Sequence, residues 1–225
     1  MASEEQPKTS PAMRPDLRDD LEGLREIVEG TAGEVGEAFF PALVRNLAAV
    51  LGTQYAFVAE FAGEGRARTL AYWQPGGFAP PVEWDLAGTP CEEVVKGRLC
   101  HHASGVKAEF PTDRPLVEMG IESYLGVPLV APDGLHLGHL CVFDPRPMPA
   151  EPRKLAIFRI FAARAAAEMV RLRLERTLAE SEERFRDLFE EAPIAYVHED
   201  LDSRFIRAHR AALRTLGVRP DEVQG

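Results

Sequence analysis

Residues 151–192 read as a single helix of about 42 residues, ~60 Å long at the α-helical rise. Its first half carries a broad apolar face of Leu155, Phe158, Ala162, Ala165, Met169 and Leu172, wide enough to pack on a sheet. Its second half narrows to Leu174, Leu178, Ser181, Phe185 and Leu188, spaced alternately by four and three, which is a heptad seam. Basic and acidic residues balance along the helix, so its charges read as a solvated face. A seam this narrow has no surface of its own chain to bury against. The economical partner is the same helix from a second copy, so a homodimer is expected along these five residues.

The remaining sequence has to supply the body that the first half of this helix covers. The chain has 225 residues, enough for one domain and a remainder. Hydrophobic residues at 45% and charged residues at 28% are globular proportions that support a buried core. The net charge of −10 opposes nucleic acid and anionic membrane surfaces, so neither is expected as a partner. The apolar stretches fall short of the ~20 residues a membrane span needs, and the acidic, polar N-terminus is unlike a signal peptide. Three cysteines make no disulfide framework, which suits a reducing, cytoplasmic setting.

Residues 1–16, with Pro7, Pro11 and Pro15, read as a flexible tail. Leu17, Leu21, Leu24 and Val28 then recur at helical spacing, and a second helical run with Ala38, Phe39, Leu43, Leu47 and Val50 ends at Gly52. Residues 54–62, 68–74 and 82–86 read as strands, with 75–81 as a loop. Thr89 is placed to cap a short helix that has Pro90 at its first position and Glu92 and Glu93 in its first turn. A short strand at 100–104, an irregular and then helical stretch at 105–120, and strands at 121–130 and 135–144 follow. The Asp133-Gly134 pair between the last two signals a hairpin. Beyond Pro193 come a strand, a turn at 200–203, a second strand and a short helix.

This order of elements resembles a GAF domain. The resemblance rests on TPCEEVVKG, on the FPTD stretch, and above all on ESYLGVPLVAPDGLHLGHLCVFD, with Tyr124, Gly126, Pro128, Gly134, Gly138 and Leu140 at the matching positions. It covers about residues 17–175 and is nearest to GAF domains of bacterial sensor kinases and enhancer-binding activators. It implies an α+β fold, a GAF-like antiparallel sheet flanked by helices, with the GAF domain at 17–150 and the long connecting helix at 151–192. Residues 181–225 resemble the opening of a PAS domain through Ser181, Phe185, Leu188, Ala192 and Pro193, and then Ile206, Ala208, Ala211 and Leu216-Gly217. A PAS domain runs to about 100 residues, so 193–225 is expected to be an incomplete start, and a half-built sheet cannot bury its own face.

GAF folds host several functions, so function has to be argued from the site. Cys100-His101 looks like the pair that carries a bilin in phytochrome-like GAF domains, but its position relative to Met119-Gly120 differs. Free methionine-R-sulfoxide reductases place a cysteine after the FP turn, where this chain has TDRPLVE (112–118). The signature of nucleotide-binding GAF domains is absent, although Phe110 and Asp113 are present. A metal or haem site could draw on Cys91, Cys100, His101, His102 and His139, with Cys91, Cys100 and His102 as the weak candidates; no metal is assigned and the cofactor is unknown. The expected pocket lies between the sheet and residues 89–120, lined by Trp73, Trp84, Cys91, Val94, Phe110, Leu116 and Tyr124 and suited to a weakly polar small-molecule effector. Asp113 and Arg114 are expected to be a solvated turn pair. The expected role is a non-enzymatic sensory module that relays through a dimeric helix. The alternatives are a cysteine-dependent redox enzyme of the sulfoxide reductase type using Cys91, and a ligand-free dimerisation spacer.

Overall fold

The computed structural model describes residues 35–63, 65–191, 197–202, 205–208, 210–217 and 219. The expected tail and the helix over 17–28 lie outside these residues. The chain divides into two compact units, residues 1–170 and 171–225.

The first unit is built on a seven-stranded antiparallel sheet. Its strands are β1 (Tyr55–Phe61), β2 (Arg66–Gln74), β3 (Gly77–Phe78), β4 (Glu83–Asp85), β5 (Cys100–His102), β6 (Ser123–Val130) and β7 (His136–Asp144). The order across the sheet is β3-β2-β1-β7-β6-β5, and β4 also pairs with β2. The expected loop at 75–81 therefore contains a short strand. Gly76 and Gly77 at φ 94° and 131° turn the chain back so that Phe78 pairs with Trp73. The β6–β7 hairpin turns at Asp133-Gly134, where Gly134 takes φ 86°. Pro128 sits in β6 beyond the last residue that β5 covers, Gly126, so its missing N–H interrupts no ladder bond with β5.

After a 3₁₀ turn at Gly36–Ala38, helix α1 (Phe39–Leu51) packs on β1 and β2 and stops where Gly52 adopts the left-handed conformation, φ 70°. Three short helices, α2 (Pro90–Val95), α3 (Val106–Glu109) and α4 (Arg114–Glu118), lie between β4 and β6 in sequence. Thr89 occupies the position before α2, but its hydroxyl donates to the Leu86 carbonyl at 2.7 Å and caps nothing in the helix. Glu92 accepts the Gly88 N–H at 3.0 Å instead. The helix ends at Val95, because Gly97 at φ 90° leaves the helical region.

Helix α5 runs Pro152–Glu191. It starts on a proline, which is tolerated there because the first helical N–H has no intrahelical partner. Within the first unit it buries Phe158, Phe161, Ala162, Ala165, Ala166 and Met169. Arg164 stacks 5.5 Å from the Phe39 ring, and Glu168 accepts the Gly36 N–H at 2.6 Å, which ties this half of α5 to the start of α1.

At the end of β7, Asp144 is 3% exposed and its carboxylate accepts from the N–H of Gln54 at 2.8 Å and from Arg146, through the backbone N–H and Nε, at 2.8 Å each. Burial disfavours the charged carboxylate, but the Arg146 guanidinium and these N–H donors outweigh it and hold the acid below its ordinary range. The stabilisation is thus complete above the unfolded value near pH ~4 and is lost as pH falls through the lower folded value. We expect Asp144→Ala to cost about 2–4 kcal/mol at neutral pH, with Gln54 and Arg146 left facing a void. The gap from wild type should shrink below pH ~4 in urea melts, since wild type then loses the same charge.

In the second unit, β8 (Val197–Glu199) and β9 (Phe205–Ala208) form an antiparallel pair, and helix α6 (Arg210–Leu216) follows. This is the strand, turn, strand and helix order expected from the sequence. The turn is closed by the Asp200 carboxylate accepting the Asp202 N–H at 2.9 Å. Among the described residues no helix is long and apolar enough to cross a membrane.

Candidate functional site

A cavity of about 390 Å³ opens on one face of the sheet, at the low end of the range for ligand pockets, roughly 300–1,000 Å³. Its floor comes from the strands. Phe57 of β1 and Phe143 of β7 point into it because alternate residues of a strand share a face. On β2, Tyr72 and Thr69 both line it although they are three apart. A register shift makes this possible: Val58 pairs with Ala71 and Ala59 with Thr69, so one residue is skipped and the facing parity changes. The wall opposite is made by Pro90 and Cys91 of α2, by Leu116 of α4, and by Met119 just beyond it.

Four of the seven residues expected from the sequence, Trp84, Cys91, Leu116 and Tyr124, line this cavity, and three do not. Trp73 follows the cavity-lining Tyr72 on the same strand and so points to the other face, where its ring stands edge-on to Phe78 at 5.1 Å. Val94 is fully buried in the core, against the space that the missing side chain of Gly126 leaves free. Phe110 packs edge-on to His102 at 5.5 Å. Sequence reading missed Phe57, Tyr72, Met119 and Phe143. The strand alternation could have found the phenylalanines, whereas Thr69 and Tyr72 depend on the register shift, which leaves no sequence mark.

Polar groups also line the cavity, among them Thr69, Asp85, Thr89 and Thr112. Half-buried Asp113 and exposed Arg114 also line the cavity. Asp113 accepts the Leu116 N–H at 3.1 Å and so caps α4. Burial pushes its carboxyl above the ordinary range, although this hydrogen bond works against the shift. Tyr72, also desolvated, is raised to about 12.

The three cysteines and two of the histidines fall into two separate groups. Cys91, His139 and Cys141 form one, and Glu93, Cys100 and His102 the other. The expected set joining Cys91 to Cys100 and His102 is thereby divided. In the first group Tyr124 donates its hydroxyl to Cys91 Sγ at 3.3 Å and lies 2.8 Å from Cys141 Sγ. Hydrogen bonding from Cys141 draws the Cys91 thiol well below its ordinary range, against the effect of burial, while burial and the neighbouring Cys91 raise Cys141. In the second group the Cys100 thiol donates to Glu93 at 3.2 Å, and burial together with Glu93 raises it to about 12. His102 Nδ1 meets the Glu109 carboxylate at 2.9 Å. His101 turns the other way, to the Met148 carbonyl at 2.9 Å, as neighbours on a strand must. All three cysteines are free and buried.

Among the described residues, the seam side chains of α5 are left uncovered. Leu174, Leu178, Phe185 and Leu188 are 60–69% exposed, and Ser181 is exposed with them.

Comparison with solved structures gives the same fold at low identity. The GAF domain of an Acinetobacter phosphoenolpyruvate-protein phosphotransferase superposes with a TM-score of 0.59 at 16% identity, over 71% of this chain and 98% of that one. The corresponding domain from Coxiella burnetii gives 0.58 at 15%, over 71% and 98%. The chromophore-binding domain of Stigmatella aurantiaca phytochrome P1 gives 0.55 at 12%, over 72% of this chain and 63% of that one. No curated protein matches the chain. The sequence matches the GAF domain family over residues 36–169, more than half of its length, and the chain therefore belongs to that family.

Proposed function

We propose that this chain is the sensory and dimerisation part of a multidomain bacterial signalling protein of the sensor kinase or enhancer-binding activator type. The GAF unit takes a small, weakly polar effector, and paired α5 helices relay its presence to a following domain whose start, over 193–225, resembles a PAS domain. The observation that carries this reading is the largely apolar cavity with Asp113 and Arg114 at its rim, a lining suited to a ligand held mainly by shape and oriented by few polar contacts. The phytochrome structure with the same fold is a chromophore-binding domain. Neither the family nor the similar structures indicate a catalytic class.

A relay needs an element with two arrangements that both ends can bias. A short seam interrupted by Ser181 and flanked by charge is of modest stability and fits that need. Met119→Trp should fill the cavity from its partly buried wall. Thermal-shift screening with small aromatic and aliphatic compounds is expected to raise the wild-type Tm by several degrees for some of them and to leave the variant unmoved. Equal shifts in both proteins would place the binding elsewhere.

A further inference from the structure

Cys91, His139 and Cys141 come together in the core on one side of the sheet. His139 and Cys141 stand two apart on β7 and so share a face, and α2 sets Cys91 against them. All three are buried, and one ligating atom from each lies within 4.8 Å of the other two. His139 is fully buried, and neither of its ring nitrogens has a hydrogen-bond partner. Aromatic rings enclose it: Phe57 at 5.4 Å and Trp84 at 5.8 Å edge-on, and Phe61 stacked at 6.3 Å. A buried polar group without partners is costly, and a phenylalanine would occupy the same space without that cost. Gly126 contributes to the arrangement, because a Cβ there would lie 2.6 Å from the Tyr124 hydroxyl that reaches the two sulfurs.

We propose that Cys91, Cys141 and His139 bind one thiophilic divalent metal ion of the Zn(II) class. Two thiolates and one imidazole are the donors such an ion prefers, and two thiolates cancel its charge, so the loaded site is neutral in apolar surroundings. Both sulfurs bind as thiolates, so binding releases to solvent whatever protons they still carry, with no oxidation or reduction. An ion at about 2.3 Å from sulfur and 2.0 Å from nitrogen holds tetrahedral ligands roughly 3.5–4 Å apart, so small side-chain rotations bring the three atoms into range. A ring nitrogen of His139 then gains the partner it lacks. Three protein ligands leave a fourth position. Cys91 and Tyr124 line the cavity, so a water or a small ligand reaches the ion from there. A Cys91–Cys141 disulfide would leave both His139 nitrogens unaccounted for. In the other group Cys100 is engaged by Glu93 and His102 Nδ1 by Glu109, which leaves only His102 Nε2 without a hydrogen-bond partner.

The test uses the full chain, reduced and stripped of metal, and titrated with Co(II) and then with Zn(II) against a chromogenic chelator. The expected result is one equivalent bound, with thiolate-to-cobalt charge-transfer absorption and visible bands of a four-coordinate ion. Cys141→Ser and His139→Asn should each weaken binding at least a hundredfold, while Cys100→Ser binds as wild type does. X-ray absorption of the Zn(II)-loaded wild type should show two sulfur neighbours, and this decides the matter even where a variant fails to fold. Failure of the reduced wild type to take up metal, fewer than two sulfurs in the shell, or loss of binding in Cys100→Ser would each overturn the assignment.

Discussion

Gly138→Ala should cost about 4 kcal/mol or more and lower Tm by roughly 10 °C, among the largest effects of any single methyl group in this chain. Gly138 lies in β7 between Glu60 of β1 and Leu129 of β6. A Cβ added there would sit 1.9 Å from the Ala59 carbonyl oxygen and 2.9 Å from the Glu60 Cα. Both are backbone atoms of the neighbouring strand, so no rotamer relieves the clash. The strands must part, and ladder hydrogen bonds are lost with them. Gly134→Ala is the control. It lies in the hairpin turn at φ 86° with open space around it, so only the left-handed conformation is penalised, by about 1 kcal/mol. Urea melts of the two variants should differ several-fold in the stability lost. Equal, small losses would mean that β1 and β7 do not approach each other this closely at Gly138.

The hairpin around Gly134 and Gly138 was also the most legible part of the fold. Asp133-Gly134 between two apolar strands announces an antiparallel pair, and Gly52 closes α1 where the periodicity stops. The site was legible only in part, for a physical reason. Trp84, Cys91, Leu116 and Tyr124 were found because large or soft side chains in the right segments mark a pocket wall. Trp73 and Tyr72 are neighbours of similar character, and only strand register decides which of them faces inward. The register shift opposite Val58 and Ala59 has no sequence signature. The sequence reading drew Cys91, Cys100, His101, His102 and His139 into one set and left Cys141 out of it. The sheet pairs residues far apart in sequence, and this brings His139 and Cys141 to Cys91. The spacing of His139 and Cys141 by two on one strand was the signal available for that cluster.

The second large effect concerns the seam. Four apolar side chains, each 60–69% exposed, recur on one stripe of α5. Burying a leucine or phenylalanine is worth about 1.5–3 kcal/mol, so pairing two such stripes supplies enough to hold a dimer. Placing Glu at 178 and 185 removes two of these from each helix and opposes like charges across the seam. Leu178→Glu with Phe185→Glu should therefore weaken dimerisation by roughly a thousandfold or more, while the GAF unit, whose core lies elsewhere, keeps its melting transition.

Native mass spectrometry of freshly purified wild-type chain beside this double variant reads association and bound small molecules together. Twice the chain mass for wild type, with effector mass on each subunit, and single, still ligand-bearing chains for the variant are the expected spectra. A wild type that flies as a bare monomer, or a variant that stays fully dimeric, would contradict a sensor that works through paired helices.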